Sequence, residues 1–230
     1  MPLRGLLILC VLLGGVIAGW LVWRGFSSRR QLSEHSGSTI SKQPIVLTTH
    51  TFDPARPPAD MPPLGSGENA ECDSDFRSNA SVRGETQPTD ATHAIVTITH
   101  VNVTLQLTIN IWVPTGVTQH VIEHEDGHRQ ISEFYYQTAD KLAERIASTY
   151  LGKQVEITGI DLDAASNKML QEMAADITEE YNKELNPGPT QLLYDAITDH
   201  GGNEVVVKDA VTHALKNISI ESPQPALPKN

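Results

Sequence analysis

Val117-Thr118-Gln119-His120-Val121-Ile122-Glu123-His124-Glu125-Asp126-Gly127-His128-Arg129-Gln130-Ile131 is the stretch that decides how this chain reads. Val117, Val121, His124, His128 and Ile131 fall at three- and four-residue steps, which is the stripe of an amphipathic helix. Tyr135, Leu142, Ile146 and Tyr150 continue the stripe. The pattern predicts one long helix from about Gly116 to Tyr150, stopped at Gly152. Helical spacing then puts the imidazoles of His124 and His128 one turn apart on one face. From there both nitrogens can reach one metal ion at about 2.0–2.1 Å. Glu125 is rotated one position off that face, where a general base for a metal-activated water belongs.

The pattern is HExxH in a helical context. With nine histidines in 230 residues, chance predicts only about 0.02 such runs. The competing reading is a pair of core histidines on an apolar stripe, and the rarity of the motif weighs against it. Gly127 supports the metal reading indirectly. A mid-helix glycine costs about 1 kcal/mol against alanine, so it points to something pressed close to the backbone. His120 shares the stripe, but at about 1.5 Å rise per residue it stands roughly 12 Å from His128 along the axis. It is assigned to packing or to support of the ligands.

Working outward, Ala94 to Val101 and Val103 to Trp112 are β-branched and alternating, which predicts two strands in an antiparallel hairpin or meander. Pro114 ends the second. Downstream, a second helix is expected from a cap at Asp161 through Leu162, Met169, Met173, Ile177 and Tyr181 to Asn186-Pro187-Gly188. A third, short helix starts at Thr190 and ends at Gly201-Gly202. A final one carries Val207, Ala210, Val211, Ala214, Leu215 and Ile218. The expected fold class is α+β and zincin-like: a short antiparallel sheet, the HExxH helix, then two or three further helices.

A catalytic zinc site ordinarily takes a third protein ligand. Glu133 points off the stripe, and Glu179 and Glu180 sit in an acidic stretch that reads as solvated. Tyr194-Asp195-Ala196-Ile197-Thr198-Asp199-His200-Gly201 is different, joining two carboxylates and a histidine at a glycine-bounded helix end. His200 is the first choice on ligand preference and Asp195 the second. Asp199 or Asp195 would orient an imidazole, and Tyr194 reads as a buried structural residue or an oxyanion donor. Cys72 is the only thiol beyond the N-terminal run that holds Cys10, so a disulfide framework and a cysteine zinc site are both excluded.

The ends are of another kind. Gly5 to Trp23 is 19 residues without a charge, between Arg4 and Arg24, close to the ~20 residues of a membrane-spanning helix. Residues 1–26 are therefore expected to be a membrane anchor or signal segment, with contact to the membrane through residues 5–23. Residues 27–66, rich in proline and serine, read as a linker in which Ile45 to Thr49 could add a short strand, 67–219 as the metallopeptidase domain and 220–230 as a disordered tail. The formal charge of −11 excludes an ordinary nucleic-acid binder.

Two motifs together, His124-Glu125-Asp126-Gly127-His128 and Tyr194-Asp195-x-x-Thr198-x-His200-Gly201, resemble a bacterial family of predicted secreted zinc-dependent proteases. That family was formerly catalogued as a domain of unknown function. The resemblance spans roughly Glu68 to Ile218. It implies a Zn²⁺-dependent peptidase with His124, His128 and His200 as ligands, Glu125 as base and a peptide or protein substrate. It also implies export, which places the domain on the periplasmic or extracellular side of the inner membrane, or free if the N-terminal segment is cleaved. The charge pattern around the apolar run slightly favours the opposite orientation. Two other readings share the motifs: a cell-wall amidase, and a non-enzymatic envelope domain that keeps HExxH for structure.

Overall fold

A computed structural model describes residues 36–65 and 67–221. The expected anchor at 1–26 and nearly all of the expected tail lie outside the described residues. Among the described residues, no helix is long and apolar enough to cross a membrane. The order is β1 (Gly37–Lys42), β2 (Val46–Phe52), β3 (Glu71–Pro88), β4 (His93–Pro114), α1 (Gln119–Gln137), α2 (Ala139–Tyr150), β5 (Gln154–Thr158), α3 (Leu162–Glu184), α4 (Gly188–Thr198) and α5 (Val207–Glu221). The α+β class holds.

β4 organises the sheet. Along one edge it pairs antiparallel with β3 from Ala94 to Trp112. The other edge takes three shorter strands in line: β5 antiparallel at His93–Thr97, then β1 parallel at His100–Leu105 and β2 parallel at Thr108–Pro114. The sheet is therefore mixed, and the short antiparallel sheet expected from sequence is corrected by the parallel pairing of β1 and β2. The two strands expected between Ala94 and Trp112 are one strand of 22 residues. Ala94, Val96 and Ile98 are buried, and the buried phase then shifts to Val101, Val103, Leu105, Leu107, Ile109 and Ile111. The phase shift coincides with a bulge where Arg83 pairs His100 and Gly84 pairs Ile98, leaving Thr99 as the extra residue. The alternation changes sides because a residue is inserted, not because the strand ends.

The expected linker at 27–66 is also corrected, since β1 and β2 lie within it and complete the sheet. β1 is polar and β2 exposes five of its seven residues, so neither carries the buried apolar alternation that marks a strand.

One face of β4 buries its apolar side chains against Tyr136, Ala139, Ala143, Ile146 and Ala147 of α1 and α2, and Ile177 and Tyr181 of α3. The Tyr136 hydroxyl reaches the carbonyls of Gln43 and Leu105, at 2.8 and 3.0 Å, which ties the helical layer to the sheet. The single long helix expected from 116 to 150 is divided at Thr138, whose φ of −105° and ψ of 6° leave helical geometry. Asp161 caps α3 as expected, accepting the Ala164 N–H at 2.9 Å. A smaller cluster of Ile131, Tyr194, Ala210, Val211 and Ala214 packs α4 and α5 onto α1. That second cluster positions the site.

Candidate metal centre

α1 presents His124 and His128 into a cavity of about 230 Å³, lined also by Glu68, Ala70, Glu71, Cys72, Ser74, Glu125, Gln191 and Asp195. The walls come from the start of β3, the middle of α1 and the inner face of α4. The Nε2 atoms of His124 and His128 lie 3.2 Å apart. Asp195 Oδ1 stands 2.9 Å from His128 Nε2 and 3.5 Å from His124 Nε2. Bonds of 2.0–2.1 Å to a tetrahedral ion would separate the donors by about 3.3–3.4 Å. The three edges bracket that value, so His124, His128 and Asp195 can hold one metal ion. Asp195 is 9% exposed, and its Oδ1 faces both imidazoles without a well-aligned hydrogen bond from either. A buried oxygen left poorly paired is costly, and a cation at this point removes the cost.

Each ligand is held from behind. His128 Nδ1 lies 2.7 Å from Gln191 Oε1, an acceptor, which leaves the Nε2 lone pair aimed at the cavity. The Gln191 amide is itself fixed, donating to the His128 carbonyl at 3.1 Å and to Ser132 Oγ at 3.0 Å. His124 stacks on the ring of Tyr194 at 5.1 Å and 13°. The Tyr194 hydroxyl donates to the His124 carbonyl at 3.1 Å, so this buried residue is structural. It also explains Gly127: a Cβ there would sit 2.1 Å from Tyr194 Oη. Gly201 is constrained likewise, with φ of +76° and a would-be Cβ 3.1 Å from His124 Cγ.

Charge reinforces the geometry. Burial opposes ionisation of Asp195, but the His124 and His128 imidazoles facing it outweigh burial and hold its carboxyl well below the usual range. For His128, burial pushes the imidazole down and Asp195 more than reverses this, so its pKa is raised. Glu125, 4% exposed, is pushed up to about 7, chiefly by burial, with His128 opposing and Glu71, Glu68 and Asp195 adding to the rise. A carboxyl poised near neutrality beside two imidazoles suits proton transfer.

The expected residues do not all converge. His124, Glu125 and His128 share the cavity, and Asp195 rather than His200 completes the set with the two histidines. The cluster that could hold an ion with both histidines therefore contains Asp195, the second choice from sequence, and not His200. The reason is local: Asp195 lies on the last turn of α4, whereas Asp199 and His200, both at φ 51°, take the chain past the helix end in the left-handed region. His200 Nδ1 stops 4.0 Å from Asp195 Oδ1 and 3.6 Å from Glu68 Oε1, in a second set of potential ligands made with those two. Glu133 pairs with Arg129 on the α1 surface, and Glu180 accepts from the Tyr150 hydroxyl at 3.0 Å. His120 lies in a separate depression facing α5.

Sequence reasoning missed Gln191, Glu68 and Glu71. For Gln191 a signal was present, since it sits four residues before Asp195 on the same helical face. A comparison with protein-family models, curated proteins and solved structures finds no match to this chain.

Proposed function

We propose that this chain is a zinc-dependent hydrolase of zincin-like design, acting on peptide bonds. The observation that carries the reading is the buried Asp195 Oδ1 within 3.5 Å of two imidazole nitrogens, with Glu125 on the wall of the same cavity. Two imidazoles and a carboxylate form a donor set characteristic of catalytic zinc. When bound, zinc supplies a Lewis acid that acidifies water and polarises a carbonyl. Glu125 accepts the proton of the attacking water and returns it to the departing amine. His128 keeps its orientation through Gln191, and burial of Glu125 keeps its proton affinity high enough for the return step.

An apolar groove of about 670 Å³ supports a peptide substrate. Val121, one helical turn before His124, lines it, as does Asn69, which stands between the cavity residues Glu68 and Ala70. Phe52, Pro57, Pro58, Met61 and Leu64 give it an apolar floor that suits a bulky side chain of the substrate. The apolar run before the domain supports a place in the cell envelope, and the motif resemblance, against the slight charge bias, supports the side outside the cytoplasm.

Wild-type chain and Glu125→Gln are compared for bound zinc and for hydrolysis of a mixed peptide library read by mass spectrometry. Equal zinc with a loss of at least about 100-fold in rate is expected, the typical span of general-base catalysis being 10²–10⁴. Equal hydrolysis by both proteins would refute the role of Glu125.

A further inference from the structure

We propose that the cavity takes a second divalent cation, held by Glu68 and His200, with Asp195 as the carboxylate shared between the two ions. This rests on the reading that His124, His128 and Asp195 hold the first. The donor atoms of Glu68, Asp195 and His200 all lie within 4.8 Å of one another. Glu68 Oε1 is 3.6 Å from His200 Nδ1, and the same nitrogen is 4.0 Å from Asp195 Oδ1. Cis edges around bonds of 2.0–2.2 Å run near 3 Å, so the two edges at His200 would each shorten by up to about 1 Å around an ion.

Three features beyond the distances point to a cation. Asp195 is 9% exposed, and its Oδ1, turned to both sets, accepts no well-aligned hydrogen bond. Glu68 is already oriented, because its Oε2 accepts the Gly65 N–H at 2.8 Å while its Oε1 lies 3.6 Å from His200 Nδ1. Four carboxyls, Glu68, Glu71, Glu125 and Asp195, line the cavity with no lysine or arginine among them. Two ions sharing a carboxylate stand about 3.5–4 Å apart in hydrolytic sites, a spacing consistent with ligand sets meeting at Asp195. A nitrogen and two carboxylates suit Zn²⁺, Co²⁺ or Mn²⁺.

The full-length chain, purified in detergent and stripped with a chelator, is titrated with Zn²⁺ against a competing indicator. It is compared with His200→Ala and Glu68→Gln, each checked for an unchanged urea midpoint in the metal-free state. Two equivalents are expected for wild type and one for each variant. With Co²⁺, the electron paramagnetic resonance signal of the first equivalent should be attenuated by the second in wild type and unaffected in His200→Ala. A single equivalent in all three proteins overturns the second site and leaves the first standing. No equivalent in wild type overturns both. Loss of all metal in His200→Ala would make His200 a ligand of the first ion and also overturn the proposal.

Discussion

Replacing Gly127 with alanine tests the packing that builds the centre. In an isolated helix this change gains about 1 kcal/mol. Here the new Cβ would fall 2.1 Å from Tyr194 Oη and 2.4 Å from Cζ. Tyr194 is fully buried and has no room to retreat, stacked on His124 and edge-on to His128 at 4.9 Å. Overpacking costs about 1–3 kcal/mol, with the upper end expected for a rigid ring. Losing the hydrogen bond from Tyr194 to the His124 carbonyl adds about 1 kcal/mol. After subtracting the helical gain, a net loss of about 2–3 kcal/mol is expected. For a protein of this size that lowers Tm by about 4–12 °C. The assay is urea unfolding followed by circular dichroism, run as a cycle with Tyr194→Ala. In the Tyr194→Ala background the clash is gone, and Gly127→Ala should become neutral or stabilising by up to about 1 kcal/mol. Equal effects of Gly127→Ala in both backgrounds, or a stabilised single variant, would refute the claim that Tyr194 dictates glycine at this position.

Other consequences follow from the same contacts. Gln191→Ala frees His128 Nδ1 and should weaken zinc binding about 10–100-fold, the usual effect of losing an outer partner of a ligand, as measured by chelator competition. Unchanged affinity would mean that Gln191 does not orient the ring. The Cys72 thiol is pushed up to about 12, first by burial and then by Glu125, so it should be unreactive to a disulfide reagent at pH 8 until the protein unfolds. A Cys10→Ser chain isolates that measurement, and rapid labelling of the folded state would contradict it. Zn²⁺ added at 1,000 times its Kd should stabilise the fold by RT ln(1 + [Zn]/Kd), about 4 kcal/mol, read as a rise in urea midpoint that a chelator reverses.

How much of this was legible from sequence depends on how local each cause is. The His124-Glu125-Asp126-Gly127-His128 helix was readable because helical spacing alone brings both imidazoles together. Gly127 marked a close approach, although nothing local could say that the approaching group was Tyr194. β1 was hidden because it is a polar edge segment, and of β2 only a short strand at Ile45 to Thr49 was legible; the pairing of both with β4 spans about 60 residues of chain. β3 was hidden for a related reason: Asp73, Asp75, Arg77, Asn79, Ser81, Arg83 and Glu85 fill its outer positions. The phase change at Thr99 was visible but ambiguous, since a turn and a bulge both shift alternation by one residue. Asp195 outranks His200 only because the helix end turns left-handed at Asp199, a backbone event that spacing rules for a continuous helix do not describe. Glu68 joins the cavity through the loop ahead of β3, a tertiary placement without local signature.

The most direct test of the metal centre is a crystal of zinc-loaded protein measured at the zinc absorption edge. An anomalous peak is expected among His124 Nε2, His128 Nε2 and Asp195 Oδ1, at about 2.0–2.2 Å from each. Saturating zinc that leaves this point empty, with the two imidazoles and the carboxylate hydrogen-bonded to one another or to water, would contradict the account.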